Sequence, residues 1–571
     1  MYILNQIKND IVKAINKALK KELVNSLDLV YPPNADMGDL SFTAFKISQE
    51  LGQSPNDICK NIIDNLDQIK GVKQIQTSGP YLNFILDTEV ISEKTLQTIA
   101  KLKEKYGYNQ NKKGQKIMIE FAEPNPFKAF HIGHLRNIIL GESLVRLFES
   151  QGAKVIRVNY QGDVGMHIAK CLWSFRQVKK SAYPETADEK VALIGKCYAE
   201  GAKAFEESPT AQEEIKEINK KIYSKQDKEI NQLWDLGKKW SLEKFHEIYD
   251  RVYSYFDREY MESEMIKDSY KYIKQAKEKK ILKDSQGAVI FDGQKYGLET
   301  RVFLNAQGLP TYEGKELALA HRQFKDFGKL DLCIHNVAIE QISFFKATFK
   351  VEELLNEKLF KGKQYHNAYE FVGLKSGKMS SRKGQVVLGN DILNEANSKI
   401  GEIIKDREEI KDLKDTAEKV GIGAVKYSFL KISPFKYLAF DMAESVSFEG
   451  NSGPYIQYVY VRIQSILKKS GVKIKFKNIS KFLKEKREEE LLVQLSKFNE
   501  VVEKSSNAYD PSEIAKYVFD LAKMFNDYYQ NVSILNSDED TKNARLALIS
   551  AIAQVIKNSL DLLGIKTVEK M

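Results

Sequence analysis

The sequence predicts a multidomain α/β protein: an N-terminal α+β domain, a Rossmann-like parallel-sheet domain carrying a helical insertion, and a C-terminal all-α bundle. Three observations predict it. A chain of 571 residues is too long for one hydrophobic core. Between Lys116 and Tyr160 an apolar run, a helical stretch and a second apolar run follow in βαβ order. From Asp391 onward the periodicity is almost wholly helical.

Residues 1–110 form the first expected domain. Ile3, Ile7, Ile11 and Ile15 recur at helical spacing, and Asp10 interrupts the positive charge, so the start reads as an amphipathic helix and not as a targeting segment. A second helix is expected near Ile58 to Leu66, and "KQIQTSGPYLNFILD" alternates as strands do. "YNQNKKGQ" is a polar linker.

The parallel-sheet domain spans 111–390. "KIMIEFA" has strand length, and the two prolines of "EPNPFKAF" mark a loop. In "HIGHLRNIILGESLVRLFES", Ile132, Leu135, Ile139, Leu144 and Leu147 keep near-helical spacing, with Gly152 placed to stop the helix. "KVIRVNY" is the second buried strand. Such a unit puts ligands at the carboxyl ends of its strands. Residues 175–290, charged and aromatic, read as a helical insertion; "KELALAHRQFKDFG" then resumes as helix and "KLDLCIHNVA" as strand. A connecting helical segment is expected at 391–445 and the bundle at 446–571, where Arg545, Gln554 and Lys557 disfavour a membrane reading of the last helix. No apolar run reaches the roughly 18 residues of a membrane span.

Composition narrows the function classes. The net charge of +10, from 88 basic and 78 acidic side chains, permits a polyanionic partner without requiring one. Cys59, Cys171, Cys197 and Cys333 are scattered with no CxxC pair, which argues against a zinc knuckle or disulfide framework and for a reducing, cytoplasmic setting.

Two motifs carry chemistry. In "NPFKAFHIGHLRN", His131 and His134 flank Gly133 where loop becomes helix. A metal reading lacks a third ligand. A nucleotide reading has better physics: the helix N-terminus offers free N–H groups to phosphate, histidines donate to the same oxygens, Lys128 adds charge, and Gly133 lets a flat group approach. In "KSGKMSSRKGQVV", cationic side chains crowd Lys375 to Lys383 between glycines. Alone it is a basic surface loop; beside a nucleotide it can close over a triphosphate.

Together, HIGH followed by KMSSRKG resembles the class I aminoacyl-tRNA synthetases. "IEFAEPNPFKAFHIGHLRN", "VNYQGDVGMHIAK", "GLPTYEGKELAL", "FDMAESVSFEGNSGPYIQYVYVRIQSIL" and "SGPYLNF" narrow the resemblance to the arginyl-tRNA synthetases, over essentially the whole chain and most weakly at 175–290. The resemblance implies activation of L-arginine with ATP and Mg²⁺, then transfer to the 3′-terminal adenosine of tRNA(Arg). It implies catalytic roles for His131, His134, Lys128 and Lys378, and ATP contacts from Phe130, Gly133, His134, Met379, Ser380 and Lys383. It implies an arginine pocket of Glu120, Asn125, Tyr312, Glu316 and Gln341; relatives are expected to carry aspartate where Glu316 stands. Asn83 and Phe84 would meet the outer corner of the tRNA. Tyr458, Arg462 and Met571 would meet the anticodon loop in a C-terminal anticodon-binding bundle, although Tyr458 also has a helix-pairing reading. No resident metal, no DNA and no membrane are expected, and a monomer is. Two alternatives stand: a catalytically inactive tRNA-binding paralogue, and a class I synthetase for another amino acid, such as the cysteinyl enzyme.

The KMS segment carries Ser381 where the usual pattern has its second lysine; the resemblance implies that Lys128, just upstream of HIGH, substitutes for it, as in arginyl relatives that lack that lysine. Lys128→Ala is therefore expected to lower the single-turnover rate of adenylate formation more than it weakens ATP binding; unchanged single-turnover kinetics would contradict this.

Overall fold

The computed structural model describes residues 2–34, 37–375 and 387–571. The chain divides into two compact units. The first joins Met1–Tyr108 to Ile456–Glu503 and Lys516–Leu560; the second joins Asn109–Tyr455 to Lys504–Ala515 and Asp561–Met571. The C-terminal residues expected to form one bundle are thus shared between two units.

In the first unit, the helix Ile3–Leu19 buries Leu4, Ile7, Ile11 and Ile15, the stripe that the isoleucine spacing marks. It covers an antiparallel sheet of β1 (Leu29–Val30), β2 (Leu40–Thr43), β3 (Val72–Ser78) and β4 (Tyr81–Leu86), in the order β1-β2-β4-β3. Gly79, with φ +57°, turns the β3–β4 hairpin. The helices Gly453–Ser470, Lys486–Ser496, Ser512–Asn531 and Glu539–Leu562 bury Ile463, Leu492, Phe525 and Ile552. Among the described residues no helix is long and apolar enough to cross a membrane.

The second unit is built on five parallel strands. β5 (Lys116–Glu120) is central; β6 (Lys154–Gln161) and β7 (Arg258–Met261) lie on one side of it. An antiparallel trio, β8 (Leu282–Ser285), β9 (Ala288–Phe291) and β10 (Arg301–Leu304), forms a separate sheet. β11 (Leu332–His335) and β12 (Gln364–His366) complete the main sheet, in the order β12-β11-β5-β6-β7. β13 (Val372–Leu374) and β14 (Leu438–Phe440) pair separately.

Two expectations are corrected here. The stretch 175–290 is not all insertion: helices Ala187–Glu207, Pro209–Ser224 and Lys228–Arg251 project from the sheet, and the chain then rejoins it as β7. Four residues inside a charged, aromatic run are too few to show a period of two. Likewise β14 interrupts the helical region after Asp391.

The helix Ile132–Ser150 crosses between β5 and β6 and is buried along almost its whole length. Beneath it Arg157 pairs with Glu142 at 3.2 Å and Glu149 at 2.8 Å. Lys426, fully buried and pushed down to about 7 by that burial, donates to the carbonyls of Val252 and Gly564. Gly141 sits so close to Phe121 that a Cβ would lie 2.3 Å from its Cγ. Gly141→Ala is expected to cost about 1–3 kcal/mol through overpacking, read as a lowered Tm by calorimetry; an unchanged Tm would show that the helix has room to shift.

Candidate active site

The site begins at a strained turn. Directly after β5, Ala122 (φ +78°) and Glu123 (φ +52°) are left-handed, and so is Phe127 (φ +67°). Non-glycine residues hold this conformation only when their surroundings impose it. Here Ala122 N–H donates to Asn137 Oδ1 (3.1 Å), Glu123 N–H to Asn159 Oδ1 (3.0 Å) and Phe127 N–H to Ser241 Oγ (3.0 Å). Asn125 Oδ1 then accepts from Gly162 N–H at 2.7 Å; a Cβ on Gly162 would lie 2.6 Å from that oxygen, so this position needs glycine.

On one side of the turn lies the start of the Ile132–Ser150 helix. His131 caps it. Its Nδ1 accepts from the N–H groups of Gly133 (3.1 Å) and His134 (3.4 Å), while His134 Nδ1 accepts from His131 N–H (3.2 Å). The rings stack at 3.7 Å. Burial lowers both pKa values, with Lys128 adding to it, and for His134 so does His131. Both histidines are therefore neutral, and since each Nδ1 is an acceptor, each carries its hydrogen on Nε2. A Cβ on Gly133 would lie 2.9 Å from His131 Cε1, so the glycine is needed for the folded-back ring and not only for a ligand. Phe130 is buried against His134, Phe245 and Tyr249, a supporting position more than an ATP contact. Lys128 is exposed, and its ammonium is held below the ordinary lysine value by desolvation, against the pull of Glu262. His167, which no sequence motif singles out, bonds Gly162 O at 3.2 Å and is pushed down to about 4 by burial and Lys128.

Lys378, Met379, Ser380, Ser381 and Lys383 lie outside the described residues. The exit of their loop does not. Ile132 N–H donates to Val387 O (2.9 Å) and Gly389 N–H to Phe130 O (2.8 Å), so the second motif emerges hydrogen-bonded to the first.

On the other side of the turn is a cavity of about 420 Å³, and Glu120, Asn125, Tyr312, Glu316 and Gln341 all line it. Six more carboxyl or aromatic groups line it that the sequence reading does not single out: Glu123, Glu262, Glu313, Tyr160, Phe344 and Phe345. Glu120 is held on both oxygens, by Gln323 Nε2 (2.5 Å) and His335 Nδ1 (3.0 Å). His335 is fully buried at the end of β11, and its Nε2 is 3.0 Å from Gln364 Oε1. Facing an acceptor on each side, it is an imidazolium: burial opposes the charge, but Cys333 and Glu120 outweigh it and the pKa is raised. Glu120, Glu316 and His335 converge closely enough to hold a cation. With both ring nitrogens engaged, His335 has no lone pair for a metal, so the group suits an organic cation. The signal for His335, a histidine closing a parallel strand, is present in "KLDLCIHNVA" but silent without its neighbours.

The remaining expected residues lie in the first unit or away from the cavity. Tyr458 and Arg462 are half-buried and adjacent: Arg462 donates to Tyr458 Oη (2.9 Å) and Asn526 Oδ1 (3.0 Å), and its guanidinium also lies 5.3 Å from the exposed ring of Tyr529. Three of the residues expected at the RNA surface are enclosed. Phe84 is fully buried in the core that the sheet shares with its helices, and its ring has no surface to stack on a base. Asn83 is 3% exposed, with Oδ1 enclosed and unpartnered. Met571 is buried in the second unit, its carbonyl bonded by Arg407 at 3.2 Å.

Comparison with known proteins matches residues 95–442 to the catalytic-domain model "tRNA synthetases class I (R)", 5–86 to "Arginyl tRNA synthetase N terminal domain" and 456–571 to "DALR anticodon binding domain". The chain is 33% identical to a protein of Clostridium acetobutylicum named arginine–tRNA ligase, over 99% of this chain and 100% of that one. It is 32% identical to a protein of the same name from Halothermothrix orenii, over 98% of each. In fold it is similar to the Thermus thermophilus arginyl-tRNA synthetase (TM-score 0.81, 24% identity, 99% of this chain and 100% of that one) and to that of Plasmodium falciparum (TM-score 0.79, 21% identity, 100% and 99%).

The two-histidine cap predicts a spectroscopic result. At pH 7 the ¹⁵N shifts of His131 and His134 should report neutral Nε2–H rings, and neither should titrate above the free-histidine value of about 6.5; a charged ring at neutral pH would contradict the assignment.

Proposed function

The chain belongs to the class I arginyl-tRNA synthetases, and from that premise we infer how its residues divide the work. It activates L-arginine with ATP and charges tRNA with the product. The observation that supports this division most directly is the junction at Ile132 and Val387, which brings the exit of the KMS loop to the histidine-capped helix beside the carboxylate-lined cavity.

In this reading the amino acid's side chain enters the cavity, and its α-carboxylate faces the helix start. One carboxylate oxygen attacks the α-phosphorus of ATP; the bond to the β,γ-pyrophosphate breaks, and pyrophosphate leaves with its electron pair. His131 and His134 donate Nε2–H bonds to phosphate oxygens, and the helix N-terminus and Lys128 stabilise the developing charge. Neutral donors fit this role because they do not over-stabilise bound ATP relative to the transition state. Mg²⁺ arrives with the ATP phosphates and is not a resident ion. The ribose of the tRNA's terminal adenosine then attacks the adenylate carbonyl through its 2′-hydroxyl, releasing AMP. Tyr458, Arg462 and Tyr529 offer an aromatic and cationic surface suited to unpaired bases. In this reading the enzyme works in the cytoplasm, a reducing setting that four free, buried cysteines suit, and acts as a monomer.

The test is ATP–pyrophosphate exchange with each amino acid, with and without tRNA. Arginine alone should drive exchange. Exchange driven by another amino acid would overturn the substrate assignment, and no exchange under any condition would favour an inactive tRNA-binding paralogue.

A further inference from the structure

The carboxyl groups of the cavity do not balance its positive charges. Glu262 is paired with Lys315 at 2.5 Å, both buried, and Glu313 lies 3.7 Å from Arg301. Glu120 shares the imidazolium of His335 with Glu316, at 3.0 and 4.0 Å. Glu352, behind His335, is pushed up to about 8 by burial and is neutral at pH 7. Glu120, Glu123 and Glu316 therefore face one cation, leaving two carboxyl groups without a matching positive charge among the described residues. The mismatch is localised. Glu316 is 3% exposed and its Oε1 is enclosed without a hydrogen-bond partner; Glu123 Oε1 is likewise enclosed and accepts no hydrogen bond. Both line the cavity. Glu123 is aimed there at a cost, by the left-handed turn that Asn137 and Asn159 hold.

We propose that Glu123 and Glu316 are paired charge acceptors for the two cationic groups of the amino acid, its guanidinium and its α-ammonium, so that the cavity is complete only around a dication. The proposal rests on the arginine reading and deepens it: Glu123 becomes a specificity-determining residue that no motif marks. Burial, and then the charge on Glu120, raises the pKa of both carboxyl groups, so the empty cavity retains protons there. A dication displaces them to solvent. Substrate affinity then rises with pH until both groups are ionised without it.

The experiment is titration calorimetry of L-arginine into the full chain at pH 7, in two buffers of different ionisation enthalpy. The expected result is net release of about one proton or more per arginine. Glu123→Gln, which keeps the shape, should weaken arginine binding by about tenfold or more and release fewer protons, and Glu123→Asp should recover part of both. A wild-type chain that binds arginine without releasing protons overturns the proposal, independently of any variant. So does Glu123→Gln with unchanged affinity and proton count. A wild-type chain that does not bind arginine overturns instead the substrate assignment on which the proposal rests.

Discussion

Two buried amides set the geometry of this enzyme. Asn137 and Asn159, 4% and 0% exposed, hold Ala122 and Glu123 left-handed by accepting their N–H groups. An extended chain at this point would carry β5 straight on. Glu120 ends β5; the turn instead brings Glu123 to the cavity that Glu120 lines, and a few residues later the chain reaches Lys128 and the helix cap at His131. Asn336 Nδ2 donates in turn to Asn137 Oδ1 at 2.9 Å, and Asn367 to Asn336, so the constraint runs across the carboxyl ends of the central strands. Amides are well suited to such a chain, because they are uncharged and each group both donates and accepts.

The turn separates two electrostatic problems. On the cavity side the protein gathers carboxyl groups, some of them without a partner, so that a neutral substrate would leave buried polar groups unmatched where a cationic one satisfies them. On the helix side it avoids permanent positive charge at the rings themselves, and relies on N–H groups and Lys128. In the proposed binding mode, an amino acid spanning the two has its cationic groups in the first and its reactive carboxylate in the second. The activation step then brings together two anions, carboxylate and triphosphate, in a setting already arranged for both.

Much of this is legible in the sequence where the information is local. The crossover helix and its flanking strands follow from hydrophobic periodicity, and the five residues expected to form one pocket do line one cavity. What stays hidden depends on partners distant in the chain. Glu123 reads as a loop residue because its direction is set by Asn137 and Asn159, 14 and 36 positions away. His335 gains its charge from Glu120, 215 positions back. The side chains expected at the RNA surface meet the opposite difficulty: sequence similarity assigns Phe84 and Met571 a role, but only packing reveals that both are enclosed. β7 escapes notice because four residues between long helices carry too little pattern.

The packing of the last eleven residues has a consequence for synthesis. Ser143, on the crossover helix, bonds Leu562 O at 3.0 Å; Lys426 bonds Gly564 O at 2.6 Å; Arg407 bonds Met571 O. Domains of a nascent chain usually fold as they emerge, N-terminal first. Here the unit bearing the active site opens at Asn109 and is closed only by residues 561–571, and the first unit needs Lys516–Leu560. Neither can finish its core until nearly the whole polypeptide has left the ribosome. Each unit therefore depends on segments far apart in the sequence, so its core joins residues that translation separates widely in time.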